Sequence, residues 1–203
     1  VARATPPTRR TQDERRAVTR AALLDATIDC LAEHGYVHTT ARLVAERAGV
    51  SRGACTHYFP TTHELVIAAI ERTFDRLTSE FVATFTAMPA HDRTFARAVR
   101  QLWDIATGPS YAAVLEVVVA SRTDPQLNDF VRVVAALLDS SVAAVVREVF
   151  PDPVDDAVRS AAIDLTMSIV QGAAVSRIAG FGDPDRAIEL AITLATQLID
   201  RHS

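Results

Sequence analysis

Lysine is absent: all 21 basic residues of this 203-residue chain are arginine. A GC-rich coding sequence produces that bias, and it carries no functional information by itself. Cysteine is nearly absent too, with only Cys30 and Cys55 and no CxxC pair. That excludes a disulfide framework and fits a chain kept reduced in the cytosol. With Gly at 7 and Pro at 9, long turn-rich regions are excluded. Strict alternation of β-branched residues is scarce, so little could build a sheet. Long hydrophobic runs are missing as well. The longest uncharged stretch, Leu165 to Ser176, is too short to span a bilayer. Val1 to Gln12 carry Arg and Pro but no apolar core of a secretory signal. The expected location is cytoplasmic, with no membrane partner.

What is present is a globular composition, 49% hydrophobic and 23% charged, rich in alanine. It predicts an all-α fold. The net charge of −4 argues against a general polyanion binder, but it hides an asymmetry. Residues 1–60 hold nine Arg against six acids, net +3; residues 61–203 hold twelve Arg against nineteen acids, net −7. A basic first third on an acidic body suggests that only the N-terminal part meets a polyanion.

Residues 1–12 read as a flexible basic arm with Pro6, Pro7 and three Arg. A helix is predicted from near Asp13, because Leu24, Ile28 and Leu31 recur at i, i+4, i+7 while Arg16, Arg20, Asp25, Asp29 and Glu33 take the other face. Gly35 should end it, with Tyr36 and Val37 as apolar anchors beyond. Thr40 is a good N-cap for a short second helix through Ala48. Gly49 breaks that helix, Ser51 caps a third running to about Phe59, and Pro60 stops it. Thr61 or Thr62 caps the next. Longer amphipathic segments follow at about Thr62 to Ala87, Asp92 to Ala106, Ser110 to Ser121, Pro125 to Phe150, Val154 to Ala179 and Pro184 to Arg201. The total is about nine helices. Residues 13–60 form a helix-turn-helix domain and residues 61–203 a larger helical bundle.

The segment Thr40 to Phe59 reads TARLVAERAGVSRGACTHYF. Two short helices joined at Gly49-Val50-Ser51 have helix-turn-helix geometry. Ala45 and Ala48 are small enough for close helix approach, and Val50 plugs the gap. Gly49 permits the positive φ of the turn. Ser51 caps a helix whose N-terminus can face a phosphate or a groove. An ordinary helical hairpin does not explain cap, Gly, Val, cap and Arg together at this spacing.

From Leu23 to Leu65 the chain resembles the DNA-binding domain of the TetR family of regulators. The AGVSRG core, Phe59-Pro60 and the preceding Gly35-Tyr36 occur together at family spacing. The resemblance implies that Thr40 touches a phosphate and that Arg42 reaches a base edge, where a guanidinium can bond guanine O6 and N7 bidentately. It makes Ser51, Arg52, Gly53 and Ala54 the start of the recognition helix. Arg52 suits a base or a phosphate, and the Ala54 methyl suits a thymine methyl. His57 and Tyr58 stand at phosphate-contacting positions. There are three departures. Cys55 replaces Leu, as a small packing residue. Thr56 replaces a phosphate-binding Tyr, and Thr62 a phosphate-binding Lys. Arg9, Arg10, Arg15 and Arg16 could compensate from the arm, in the minor groove, or could be solvated charge.

Other chemistry has little support. Cys55 and His57 point to different faces, so they do not form a nucleophile–base pair. A redox role for Cys55 would need its pKa lowered by Arg52 and the helix N-terminus. The histidines show no metal-ligand spacing, and no GxGxxG or Walker motif exists. No cofactor, metal or catalysis is expected. The apolar stripes of the body are either plain core or, as the resemblance implies, a pocket for a small-molecule effector. That pocket would be lined by Phe74, Phe81, Trp103, Tyr111, Leu115, Val118 and Met167. The last two long helices read as a homodimer seam, through Leu165, Ile169, Gly172, Ala173, Ile188, Ile192, Ala195 and Ile199. The function this implies is an effector-released repressor binding a palindromic double-stranded DNA operator. The alternative is a helical small-molecule-binding protein whose helix-turn-helix no longer grips DNA. The missing contacts at Thr56 and Thr62 favour that alternative.

Overall fold

The structure, a computed structural model, describes residues 11–136 and 156–202, without the side chains of residues 156, 158, 159 and 198–202. The chain is all-α, with no strand among the described residues. It divides into two compact units, ending and starting at Ile70 and Glu71.

The first unit opens with α1 (Gln12–His38). Its start is fixed by a reciprocal cap. Thr11 Oγ1 accepts from the Glu14 N–H at 3.2 Å, and the Glu14 carboxylate accepts from the Thr11 N–H at 2.7 Å. The apolar stripe read from the sequence is the buried face, with Leu23, Leu24, Ile28, Cys30 and Leu31 all inside. Gly35 interrupts the helix at φ 75°. The chain then makes one further turn, held by the Thr39 hydroxyl donating to the Gly35 carbonyl at 2.8 Å. Only half of the expected anchor survives: Tyr36 is half-buried, whereas Val37 is 83% exposed. The turn after Gly35 presents adjacent side chains to opposite environments.

α2 (Ala41–Arg47) and α3 (Arg52–Tyr58) follow, and α2 packs on both α1 and α3. Val44, Ala45, Cys55, Phe59, Leu65 and Val66 complete this unit's core. α4 (Thr62–Ala87) is capped by Thr61, whose hydroxyl accepts from the Glu64 N–H at 3.1 Å, so Thr62 is its first helical residue. The boundary between the units falls inside α4.

In the second unit a 3-10 turn (Ala90–Asp92) precedes α5 (Phe95–Ala106). α5 therefore starts at the Thr94 cap rather than at Asp92, because the Thr94 side chain accepts from the Arg97 N–H. α6 (Pro109–Ser121) begins with proline at its first position, where no N–H is required. α7 is described over 125–136; the rest of the helix expected to reach Phe150 lies outside the described residues. α8 (Asp156–Ala179) and α9 (Pro184–His202) end the chain and pack on each other and on α5.

One core of this unit joins Val99, Trp103 and Ala106 of α5 to Val170, Ala173 and Ala174 of α8 and Ile188 and Ile192 of α9. Three of these residues correct the expected seam. Ala173, Ile188 and Ile192 are at most 6% exposed inside a single chain, so they do not face a partner. Ile169 is half-buried against the same core. Of the remaining expected seam residues, Leu165 and Gly172 are exposed and Ala195 is half-buried. The Ile199 side chain lies outside the described residues. A second core gathers Phe81, Phe85 and Ala98. No single helix among the described residues is long and apolar enough to cross a membrane.

Candidate nucleic-acid interface

The turn between α2 and α3 is built by local backbone needs. Thr40 sits in extended geometry and its hydroxyl accepts from the Leu43 N–H at 3.3 Å. Ser51 does the same for the Ala54 N–H at 3.1 Å. Each satisfies one of the otherwise unpaired donors at a helix start. Gly49 supplies the required φ of 68°, and the Val50 N–H closes the turn onto the Ala45 carbonyl at 3.0 Å. Val50 is half-buried there.

α3 has two faces. Cys55 and Phe59 are buried, while Arg52, Gly53, Thr56 and His57 are exposed; Ala54 and Tyr58 lie at the margin, half-buried. Thr40, Arg42 and Ser51 are exposed and Thr62 is half-buried. A methyl on Gly53 would meet nothing closer than the Ser51 hydroxyl at 4.0 Å, so the backbone there is open to a large partner. The Thr56 hydroxyl turns back onto its own helix, 3.2 Å from the carbonyls of Arg52 and Gly53. It accepts from outside more readily than it donates to a phosphate. Arg42 leans along α2 toward Glu46, with Nε 3.8 Å from its carboxylate. The His57 and Tyr58 rings meet edge to face at 5.6 Å.

Burial pushes the Cys55 thiol up, and burial does the same to Cys30 despite the nearby Arg47 charge. The lowering that a redox role would need is not there, and a fully buried thiol raised by burial fits a packing residue.

Contacts that the sequence reading missed hold this unit together. Arg47, at the end of α2, forks onto Glu33 of α1. Its Nη1 is 2.7 Å from one carboxylate oxygen and its Nη2 bonds the other. Asp29 lies 3.7 Å from the same guanidinium. The Arg47 hydrogen bond pulls the Glu33 carboxyl below its ordinary range. Arg20 of α1 lies over the Phe59 ring, 5.4 Å from its centroid. The available signal was charge complementarity near two helix ends, but only the fold says which ends meet. Arg9 and Arg10 of the arm lie outside the described residues.

The residues expected to line an effector site, all in the second unit, fall into more than one group. Trp103 is in the α5–α8–α9 core, with Tyr111 and Leu115 packed against it. Its indole N–H donates to Asp185 at 2.8 Å, and Arg177 lies over its ring at 5.0 Å while pairing with Asp185. Burial pushes the Tyr111 phenol up. Phe81 is instead in the second core, stacked on Phe85 at 6.2 Å. Phe74 and Met167 are half-buried. Val118 is 41% exposed and faces away from the packed interior, a correction to its expected lining role. Arg100 of α5 is bound to Glu189 of α9 through two hydrogen bonds of 3.0 and 2.8 Å.

A short capped helix with an open polar outer face, joined by a glycine turn to a second capped helix, is a helix-turn-helix, a motif of DNA-binding proteins. Residues 23–69 match the model of the bacterial regulatory proteins, tetR family. An HTH-type transcriptional regulator of Mycobacterium tuberculosis is 32% identical over 173 residues, 83% of this chain and 87% of that one. The HTH-type transcriptional repressor AcnR of Corynebacterium diphtheriae is 28% identical over 167 residues, 82% of this chain and 84% of that one. Among solved structures, the multidrug binding protein EbrR complexed with ethidium shares the fold at a TM-score of 0.62 and 22% identity, covering 87% of this chain and 97% of that one. The chain belongs to the TetR family, and it is a DNA-binding transcription regulator.

Proposed function

We propose that this regulator is a homodimeric repressor that binds a palindromic operator in the cytoplasm and is released by a small-molecule effector. The observation that carries the reading is the outer face of α3, where Arg52, Gly53, Thr56 and His57 are exposed together beside Thr40 and Arg42. Arg42 and Arg52 read base edges. Thr40, Ser51, His57, Tyr58 and Thr62 position the phosphates, Thr56 lies on the same face with its hydroxyl proton committed to its own helix, and Gly53 and Ala54 let the backbone approach the groove. The name of AcnR supports repression, and the ethidium bound to a protein of this fold supports a small-molecule effector taken by the body, residues 61–203. The effector works by binding more tightly to the state that fits the operator poorly; equal affinity for both states would shift nothing. The role is binding, not catalysis.

The dimer seam uses the faces of α8 and α9 that the single chain leaves exposed, including Leu165, Leu190 and Leu194. The test is selection of bound duplexes from random DNA by the purified protein at moderate salt. A palindrome should emerge, and Arg42→Ala and Arg52→Ala should each relax one position per half-site by about 1–3 kcal/mol. Absence of any enriched sequence, with weak binding even at low salt, would sink the reading.

A further inference from the structure

We infer that Arg47 and Glu33 form a positioning clamp that sets the angle at which α2 and α3 meet DNA. The inference rests on α3 being the DNA-reading helix. α2 is only seven residues long and packs on both α1 and α3. A helix that short is held mainly by what it packs against, because its own hydrogen-bond ladder is barely nucleated. Its apolar anchors, Val44 and Ala45, are adjacent and close to its middle. They resist translation of α2 better than tilting about its middle, which swings its two ends. The Arg47 fork adds the missing constraint. It grips the α2 end that leads into the Gly49 turn, and two parallel bonds to one carboxylate fix direction as well as distance. Asp29, one turn earlier on α1, sits on the same guanidinium at 3.7 Å and limits its swing. The Arg47 side chain is only 30% exposed, so it lies along the α1 surface instead of reaching outward for a phosphate.

Tilting of α2 moves both the Arg42 end and the start of α3. Exposed ion pairs contribute little to global stability. The clamp therefore acts on the discrimination between operator and random DNA and much less on unfolding. A residue that simply touched phosphate would weaken all duplexes alike and change the salt dependence of binding.

The experiment uses the full chain, a duplex obtained by selection and a random duplex of the same length. Glu33→Gln and Arg47→Gln are made singly and together, with Arg47→Lys as a variant that keeps the charge and loses the fork. Each single variant should bind the selected duplex roughly tenfold more weakly and the random duplex as before. The double variant should be no weaker than either single. Arg47→Lys should show the same selective loss. Hydrogen exchange without DNA should quicken at the Val50 and Cys55 amides and stay unchanged in the second unit. Two results would overturn the clamp: equal losses on both duplexes with Glu33→Gln binding tighter, which marks Arg47 as a phosphate contact, or unchanged discrimination and exchange in every variant. A wild-type chain that prefers no duplex would instead defeat the assignment of α3. The exchange measurement still decides the clamp in that case.

Discussion

Gly49 and Gly53 belong to one motif and should respond oppositely to an added methyl. At Gly49 the space is open but φ is 68°, so the penalty is conformational alone. Gly49→Ala should lower the stability of the first unit by about 1–2 kcal/mol, read by urea unfolding. At Gly53 the backbone is helical and the space is open too. Gly53→Ala should raise stability by up to about 1 kcal/mol while weakening operator binding, since the methyl sits on the face meant for the groove. A mobility-shift titration beside the same unfolding curve would separate the two effects. Parallel changes in stability and affinity would contradict the assignment of that face. Residues of this kind were legible in the sequence because their requirement is local: Thr40, Gly49 and Ser51 each answer one backbone need within four residues. Val37 and Arg47 were not legible. Whether a residue after a glycine break turns inward, and which carboxylate an arginine meets, depends on packing that no short window contains.

Among the helices, α5 is the element that ties the body together. Its Trp103 and Arg100 reach Asp185 and Glu189, both on α9, and Arg177 of α8 joins the first pair. The Asp185 carboxyl is held below its usual range by the Trp103 N–H and then by Arg177, and Glu189 by its hydrogen bonds to Arg100. A carboxyl lowered in the folded state adds stability that is present above its unfolded value, near pH 4, and is lost as pH falls through the folded value. Trp103 is the only tryptophan. Its fluorescence should therefore stay constant from neutral pH to about 4 and change below. Asp185→Asn keeps an oxygen for the indole and should remove Asp185's share of that acid limb. An identical acid limb in this variant would refute the assignment. Periodicity foretold α5, α8 and α9 as amphipathic helices, but not these ties. The sequence order of their residues spans most of the body.

At the scale of the whole molecule, the proposed homodimer turns on which apolar residues of α8 and α9 the single chain leaves uncovered. The sequence offered two stripes on α8 and α9, and the structure divides them. Ala173, Ile188 and Ile192 close the single-chain core, while Leu165 remains more than half exposed; Ile178, Leu190 and Leu194, outside those stripes, are more than half exposed as well. Helices apolar on more than one side cannot announce which side faces their own chain. Leu190→Glu with Leu194→Glu should leave the fold intact, shift sedimentation to the monomer and weaken operator binding at least tenfold, because one half-site then has to suffice. Ile192→Glu should instead unfold the body by burying an unpaired charge. A doubly substituted chain that still sediments as a dimer would move the seam elsewhere.

Both thiols of the chain, Cys30 and Cys55, have no exposed surface, and both belong to the first unit. A thiol reagent added to the native protein is therefore a clock for the opening of that unit. It stays silent to any motion of the body that leaves the first unit shut. Because DNA would bind only the closed form, operator at a hundredfold excess over its Kd should slow the labelling about a hundredfold. The pace of one colour reaction would then report occupancy of the operator without any label on either partner.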